Sequence, residues 1–152
     1  MKPLIDYSYL RGFNHEPDFN NYSDEQMERE LGYAERLGLN SCRLFMPLHF
    51  WQQDRDGFLS KLQKFIRLAW SKNISTTPIL LMPYFTEGQT PYWVSDDVDP
   101  EIPGCYFEEN YHIGEAYVTD VVTLAKDEPG LLFWDVMNEP SWHGFIISVQ
   151  DE

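Results

Sequence analysis

Four apolar runs recur along the chain, and the stretches between them carry helical periodicity. The runs are YSYLRGFN (residues 7–14), NSCRLFMP (40–47), TTPILLMP (76–83) and LLFWDVMNEP (131–140). After the first, Ser23-Asp24-Glu25-Gln26 has the form of a capping box, with acidic residues at the positive helix start. Met27, Leu31, Ala34 and Leu37 follow at helical spacing, and Gly38 provides a stop. After the second run a helix is expected over about 57–72, with Phe58, Leu62, Phe65, Ile66 and Ala69 on one face and Asn73 as its left-handed terminator. A long loop over 84–110 precedes the third helix, in which Ile113, Tyr117, Val121 and Leu124 share a face that ends near Asp127-Glu128-Pro129-Gly130.

The order is therefore βαβαβαβ. Near-continuous apolar strands are buried on both faces, which requires a parallel sheet covered by helices. A doubly wound nucleotide-binding sheet needs a Gly-rich turn after an early strand, and none is present. A (β/α)8 barrel instead gathers polar residues at the C-terminal strand ends. Here those ends read Asn14, Pro47-Leu48-His49, Pro83-Tyr84 and Asn138-Glu139. The expected fold is a parallel (β/α) half-barrel, the first four βα units of a TIM (β/α)8 barrel, formed by 1–152 as a single unit. A full barrel takes about 250 residues, and this chain has 152.

Composition narrows the partners. The net charge is −14 with only 11 Lys and Arg, so no nucleic acid held through phosphates is expected. No run is long enough to span a membrane, and the start MKPLIDYSYLRG has no apolar signal core. The chain as written is thus expected to be cytoplasmic, although a secreted parent stripped of its leader would read identically. Cys42 and Cys105 are too few for a disulfide framework and read as free thiols. No clustered Cys or His spacing implies zinc, and the acidic stretch SDDVDPEIPG lacks EF-hand spacing and reads as solvated loop. Neither a metal nor a cofactor is expected. Five Trp, nine Tyr and ten Phe fit either carbohydrate stacking or a large aromatic core.

RGFN after run one, GLNSCRLF at run two and FWDVMNEP at run four resemble glycoside hydrolase family 5 and its clan A relatives, over about residues 11–142. The resemblance implies cellulase- or mannanase-type chemistry of carbohydrate metabolism: hydrolysis of O-glycosidic bonds in a β-linked oligo- or polysaccharide, with retention. That chemistry uses a general acid and a carboxylate nucleophile about 5–5.5 Å apart. Carried over by the motif, Glu139 is the acid/base and Asn138 holds the sugar 2-hydroxyl. Strict strand alternation would turn only one of these two side chains to the barrel mouth, so the strand must end or kink at Asn138, as Pro140 permits.

Arg43 matches the family's strand-two arginine, which steadies the catalytic carboxylates. It is equally placed to pair with Asp135, a charge that cannot stand alone in an apolar strand. His49, Trp51, Tyr84 and Trp142 follow strand ends as candidates for a sugar-lining wall, with ordinary loop packing as the other reading, and His143 is a candidate supporting or substrate contact. The family's nucleophile, a Glu on strand seven, has no counterpart here, so the isolated chain is expected to be inactive. A truncated glycosidase, a non-catalytic carbohydrate-binding remnant and a self-assembling half-barrel all fit this reading. Leu44, Met46, Leu80 and Met137 are the expected apolar interior, whose exposure would drive homodimer formation or docking of a missing C-terminal half.

Overall fold

Two helix ends in this chain are built alike, and each delivers the next strand. The computed structural model describes residues 7–81 and 111–138. Helix α1 (Asp24–Arg36) is followed by Gly38 at φ +71°, where the Leu39 N–H donates to the Ala34 carbonyl and the Gly38 N–H to Glu35, each at 3.0 Å. Helix α3 (Arg55–Ser71) repeats this pattern with Asn73 at φ 60°, and the Ile74 N–H donates to the Ala69 carbonyl at 2.9 Å. Both are left-handed C-terminal caps that satisfy otherwise orphaned carbonyls. Gly and Asn hold the two positions because they tolerate positive φ best.

At its other end α1 starts at Ser23, whose Oγ accepts from the Gln26 backbone N–H at 3.1 Å. Only half of the expected capping box forms. The Gln26 side chain donates forward to Glu30 at 3.0 Å and does not reach back to Ser23. Helix α3 opens on Asp54, whose side chain accepts from the Gly57 N–H at 3.0 Å.

The strands are β1 (Gly12–His15), β2 (Ser41–Leu44), β3 (Ser75–Leu81) and β4 (Asp135–Met137), all parallel and in the order β1-β2-β3-β4. With α4 (Tyr111–Ala125) they complete the expected alternation. A short helix α2 (Leu48–Gln53), absent from the sequence expectation, lies between β2 and α3. The fourth run forms a strand only over its middle. Leu131 makes an isolated bridge to Thr76, and pairing resumes where Ile79 faces Asp135.

The core lies between the sheet and the helices. Met27 and Leu31 from α1, Phe58, Leu62, Phe65 and Ile66 from α3, and Tyr117 and Val121 from α4 pack over Cys42, Leu44 and Leu80. Each fully buried aliphatic or aromatic side chain contributes about 1.5–3 kcal/mol relative to exposure. The Tyr117 hydroxyl, buried there, donates to the Met46 carbonyl at 2.9 Å. Leu44, Met46 and Leu80 therefore belong to the helix-covered layer, which corrects the expectation that they line the barrel interior. Successive strand residues face opposite sides, so the interior face takes their neighbours instead. Among the described residues no helix is long and apolar enough to cross a membrane.

Candidate active site at the strand ends

The face of the sheet turned away from the helices carries a polar cluster beside Ile79, Leu81 and Met137, which share its parity. Asn14, Arg43 and Thr77 are register partners on β1, β2 and β3, and Asp135 enters from β4. With Gly12, Ser41 and Phe133 they line a cleft of about 360 Å³. Thr77 is 4% exposed, and its Oγ1 has no hydrogen-bond partner among the described residues.

Arg43 organises this face. Its Nε donates to Asp135 Oδ2 at 2.7 Å, and one terminal nitrogen lies 2.7 Å from the same oxygen. That terminal nitrogen also donates to Asn138 Oδ1 at 3.0 Å. The guanidinium carbon sits 5.0 Å from the centroid of the Phe45 ring, a favourable cation–π distance. The Arg43–Asp135 pair expected from an unpaired charge in an apolar strand is thus present. It stands together with the contact to Asn138 and does not replace it.

Asn138 lies immediately after β4 and is 8% exposed. Its backbone N–H donates to the carbonyl of Leu81, the last residue of β3, at 3.0 Å. The side chain is therefore tied to β2 and the backbone to β3. Strict alternation would place Asp135 and Asn138, three residues apart, on opposite faces; the strand ends at Met137, and both reach Arg43. The strand thus ends before Asn138, and Glu139, the other residue of the expected break, lies outside the described residues.

A guanidinium nitrogen can only donate, so the amide oxygen of Asn138 must face Arg43 and its Nδ2 must face away. The site thus presents an oriented amide donor at the C-terminal edge of the sheet. No cluster of three or more His, Cys, Asp or Glu placed to hold a metal occurs among the described residues.

His49 and Trp51 both fall in α2. His49 is half-buried, and desolvation lowers its pKa below the ordinary histidine value despite an opposing pull from Asp18. The Trp51 indole N–H donates to Asp120 of α4 at 2.8 Å, and its ring meets Tyr117 edge-on at 5.8 Å. Asp120 also receives Arg55 through two hydrogen bonds of 2.6 and 2.7 Å. The polar edge of Trp51 is thus engaged with the helix layer. Glu139, Tyr84, Trp142 and His143 lie outside the described residues. Thr77 and Phe133 line the cleft without having been expected there; parity with Arg43 across the β2–β3 register is the signal that locates Thr77.

In fold the chain is similar to the exo-beta-1,4-mannosidase Op5Man5 from Opitutaceae bacterium strain TAV5, with a TM-score of 0.64 at 19% sequence identity. The match covers 90% of this chain and 28% of that one. The chain is a partial (β/α) barrel. No family model matches the sequence, and neither does any curated protein.

Proposed function

We propose that the C-terminal edge of this partial barrel is the acid/base side of a glycoside hydrolase-like site for a β-linked oligo- or polysaccharide. The observation that carries the reading is the bond from Arg43 to Asn138 Oδ1 at 3.0 Å, which orients an amide donor beside the position of Glu139. In this reading Asn138 Nδ2 donates to the sugar 2-hydroxyl, a contact that strengthens at the transition state. Glu139 protonates the departing glycosidic oxygen. Arg43 holds the geometry that both require, and His49, Tyr84, Trp142 and His143 are the proposed wall around the sugar, Trp51 being engaged with the helix layer. The resemblance of FWDVMNEP to glycoside hydrolase family 5 supports the assignment. The mannosidase named above makes β-1,4-mannosides the first ligands to try, with β-1,4-glucosides beside them.

Retention also needs a carboxylate nucleophile about 5–5.5 Å from the acid. The motifs supply only Glu139, so the 152-residue chain is proposed to bind saccharide without turning it over. Titration with β-1,4-linked manno- and gluco-oligosaccharides tests the reading. Binding that weakens at least about tenfold in Asn138→Ala, equivalent to about 1.4 kcal/mol, is expected. Equal affinity in the wild type and that variant would contradict it.

A second reading concerns what completes the sheet. Among the described strands β1 and β4 each pair on one side only, and open edges invite pairing. The proposed partner is a second copy of the chain or the remaining length of a barrel.

A further inference from the structure

Asp135 is more closely engaged than simple charge neutralisation requires. One of its oxygens accepts from Arg43 Nε at 2.7 Å and lies 2.7 Å from the terminal nitrogen that also bonds Asn138. These contacts fix the guanidinium in plane and in rotation. A lysine at position 43 would neutralise Asp135 equally well, but a point ammonium cannot hold a carboxylate and an amide in one rigid fork. The pair is also only partly shielded, with side-chain exposures of 34% for Arg43 and 23% for Asp135, so a charge pair as such is worth little there. What the arrangement provides is geometry. It leads from β4 to β2 and returns to the residue just past β4.

We propose that Asp135 is a positioning residue: by clamping Arg43 it sets the amide of Asn138 with Nδ2 turned away from the guanidinium, available to a sugar hydroxyl. The inference rests on the saccharide reading above for its ligand, though not for its geometry. Without the clamp, Arg43 is free to turn against the Phe45 ring, over which it already sits at 5.0 Å, and towards solvent. Asn138 then samples both amide orientations, and in one of them the carbonyl oxygen occupies the place of the donor. A hydroxyl can meet either orientation, but only one leaves the network around Arg43 satisfied.

The backbone N–H of Asn138, bonded to Leu81 on β3, supplies an internal control. In Asp135→Asn, nitrogen relaxation of the Asn138 side-chain amide should show a loss of order, while the backbone amide of the same residue stays as rigid as in the wild type. Asp135→Glu should restore much of the side-chain order. Affinity for the β-1,4-linked oligosaccharide should fall about tenfold in Asp135→Asn and recover in Asp135→Glu, by the scale on which one well-formed hydrogen bond to a charged network acts.

A side-chain amide that stays ordered in Asp135→Asn overturns the proposal. So does an affinity unchanged in that variant while Asn138→Ala abolishes binding, and in that case the saccharide reading survives alone. If neither variant alters saccharide binding, or the wild type binds none, the saccharide reading fails, and the relaxation result by itself decides the role of Asp135. Arg43→Lys provides the second route. It keeps the charge opposite Asp135, and a loosened Asn138 amide is expected there too.

Discussion

His15, at the end of β1, faces the helix layer while its sequence neighbour Asn14 faces the cleft. Its ring stacks on Phe65 at 5.5 Å, and its Nε2 shares a 2.8 Å hydrogen bond with the Tyr22 hydroxyl. Burial lowers its pKa below the ordinary 6.5, with Glu30, 3.6 Å away, pulling the other way. A depressed pKa means that the unfolded chain takes the proton first. The stability associated with neutral His15 is therefore complete above pH 6.5 and is lost as pH falls through the lowered folded value. His49 shifts in the same direction. Thermal melts across this window should show the midpoint falling with acidification, and His15→Gln should flatten the slope without abolishing it; an unchanged slope would contradict the burial argument. Asp120 and Glu128, held below their ordinary values by hydrogen bonds from Arg55 and Arg67, act in a separate and more acidic window. At this scale the sequence was informative where charge and apolarity collide. Asp135 in an apolar run demands a partner, and Arg43 on β2 supplies it across the intervening β3. The forked contact to Asn138 is not readable from the sequence, because a three-residue spacing from Asp135 implies opposite faces in a continuous strand.

The elements follow their local signals where those signals are chemical. Ser23, Gly38 and Asn73 are in the capping positions their residue types favour, and α1 and α3 end within a residue or two of expectation. Two features escaped. Helix α2 is six residues long, too short for a hydrophobic period to show in LHFWQQ. The facing of the second and third strands also escaped, because a run such as PILL carries no alternation from which to read parity. Leu44 and Leu80 therefore read as interior residues in the sequence but face the helices in the fold. The fourth run reads as one strand but is interrupted between Leu131 and Asp135, and just before it Gly130 passes close to α3. A Cβ there would lie 2.9 Å from the Ile66 carbonyl oxygen on α3 and 2.9 Å from Trp70 Cβ. The glycine lets the chain pass against α3, and its carbonyl accepts from the Thr76 N–H at 2.8 Å before β4 begins. Gly130→Ala should therefore destabilise the fold by about 1–3 kcal/mol, the range for overpacking against backbone. Denaturant unfolding measures this, and a loss under a few tenths of a kcal/mol would show that α3 yields easily.

As a whole the molecule presents a helix-covered core on one side of its sheet and, on the other, the polar cluster around Arg43 with Ile79 and Met137 beside it. The expectation of an apolar interior driving association loses three of its four residues, Leu44, Met46 and Leu80, to the helix-side core. What remains is Met137, in register with Leu81, and the open edges of β1 and β4 among the described strands, with Val136 65% exposed on the β4 edge strand. Such edges favour pairing, and a net charge of −14 opposes it at long range. Self-association is thus expected to be weak and to strengthen with salt. Sedimentation at several concentrations should show the average mass rising as ionic strength rises; a monomer at every condition, melting cooperatively at high dilution, would show that the open sheet is stable alone. The most direct test of the central claim is to follow the saccharide titration by chemical-shift mapping. Binding of β-1,4-linked oligosaccharides should shift the side-chain resonances of Arg43 and Asn138 together with the backbone of Glu139. Shifts confined to the helix layer, or none at saturating saccharide, would contradict it.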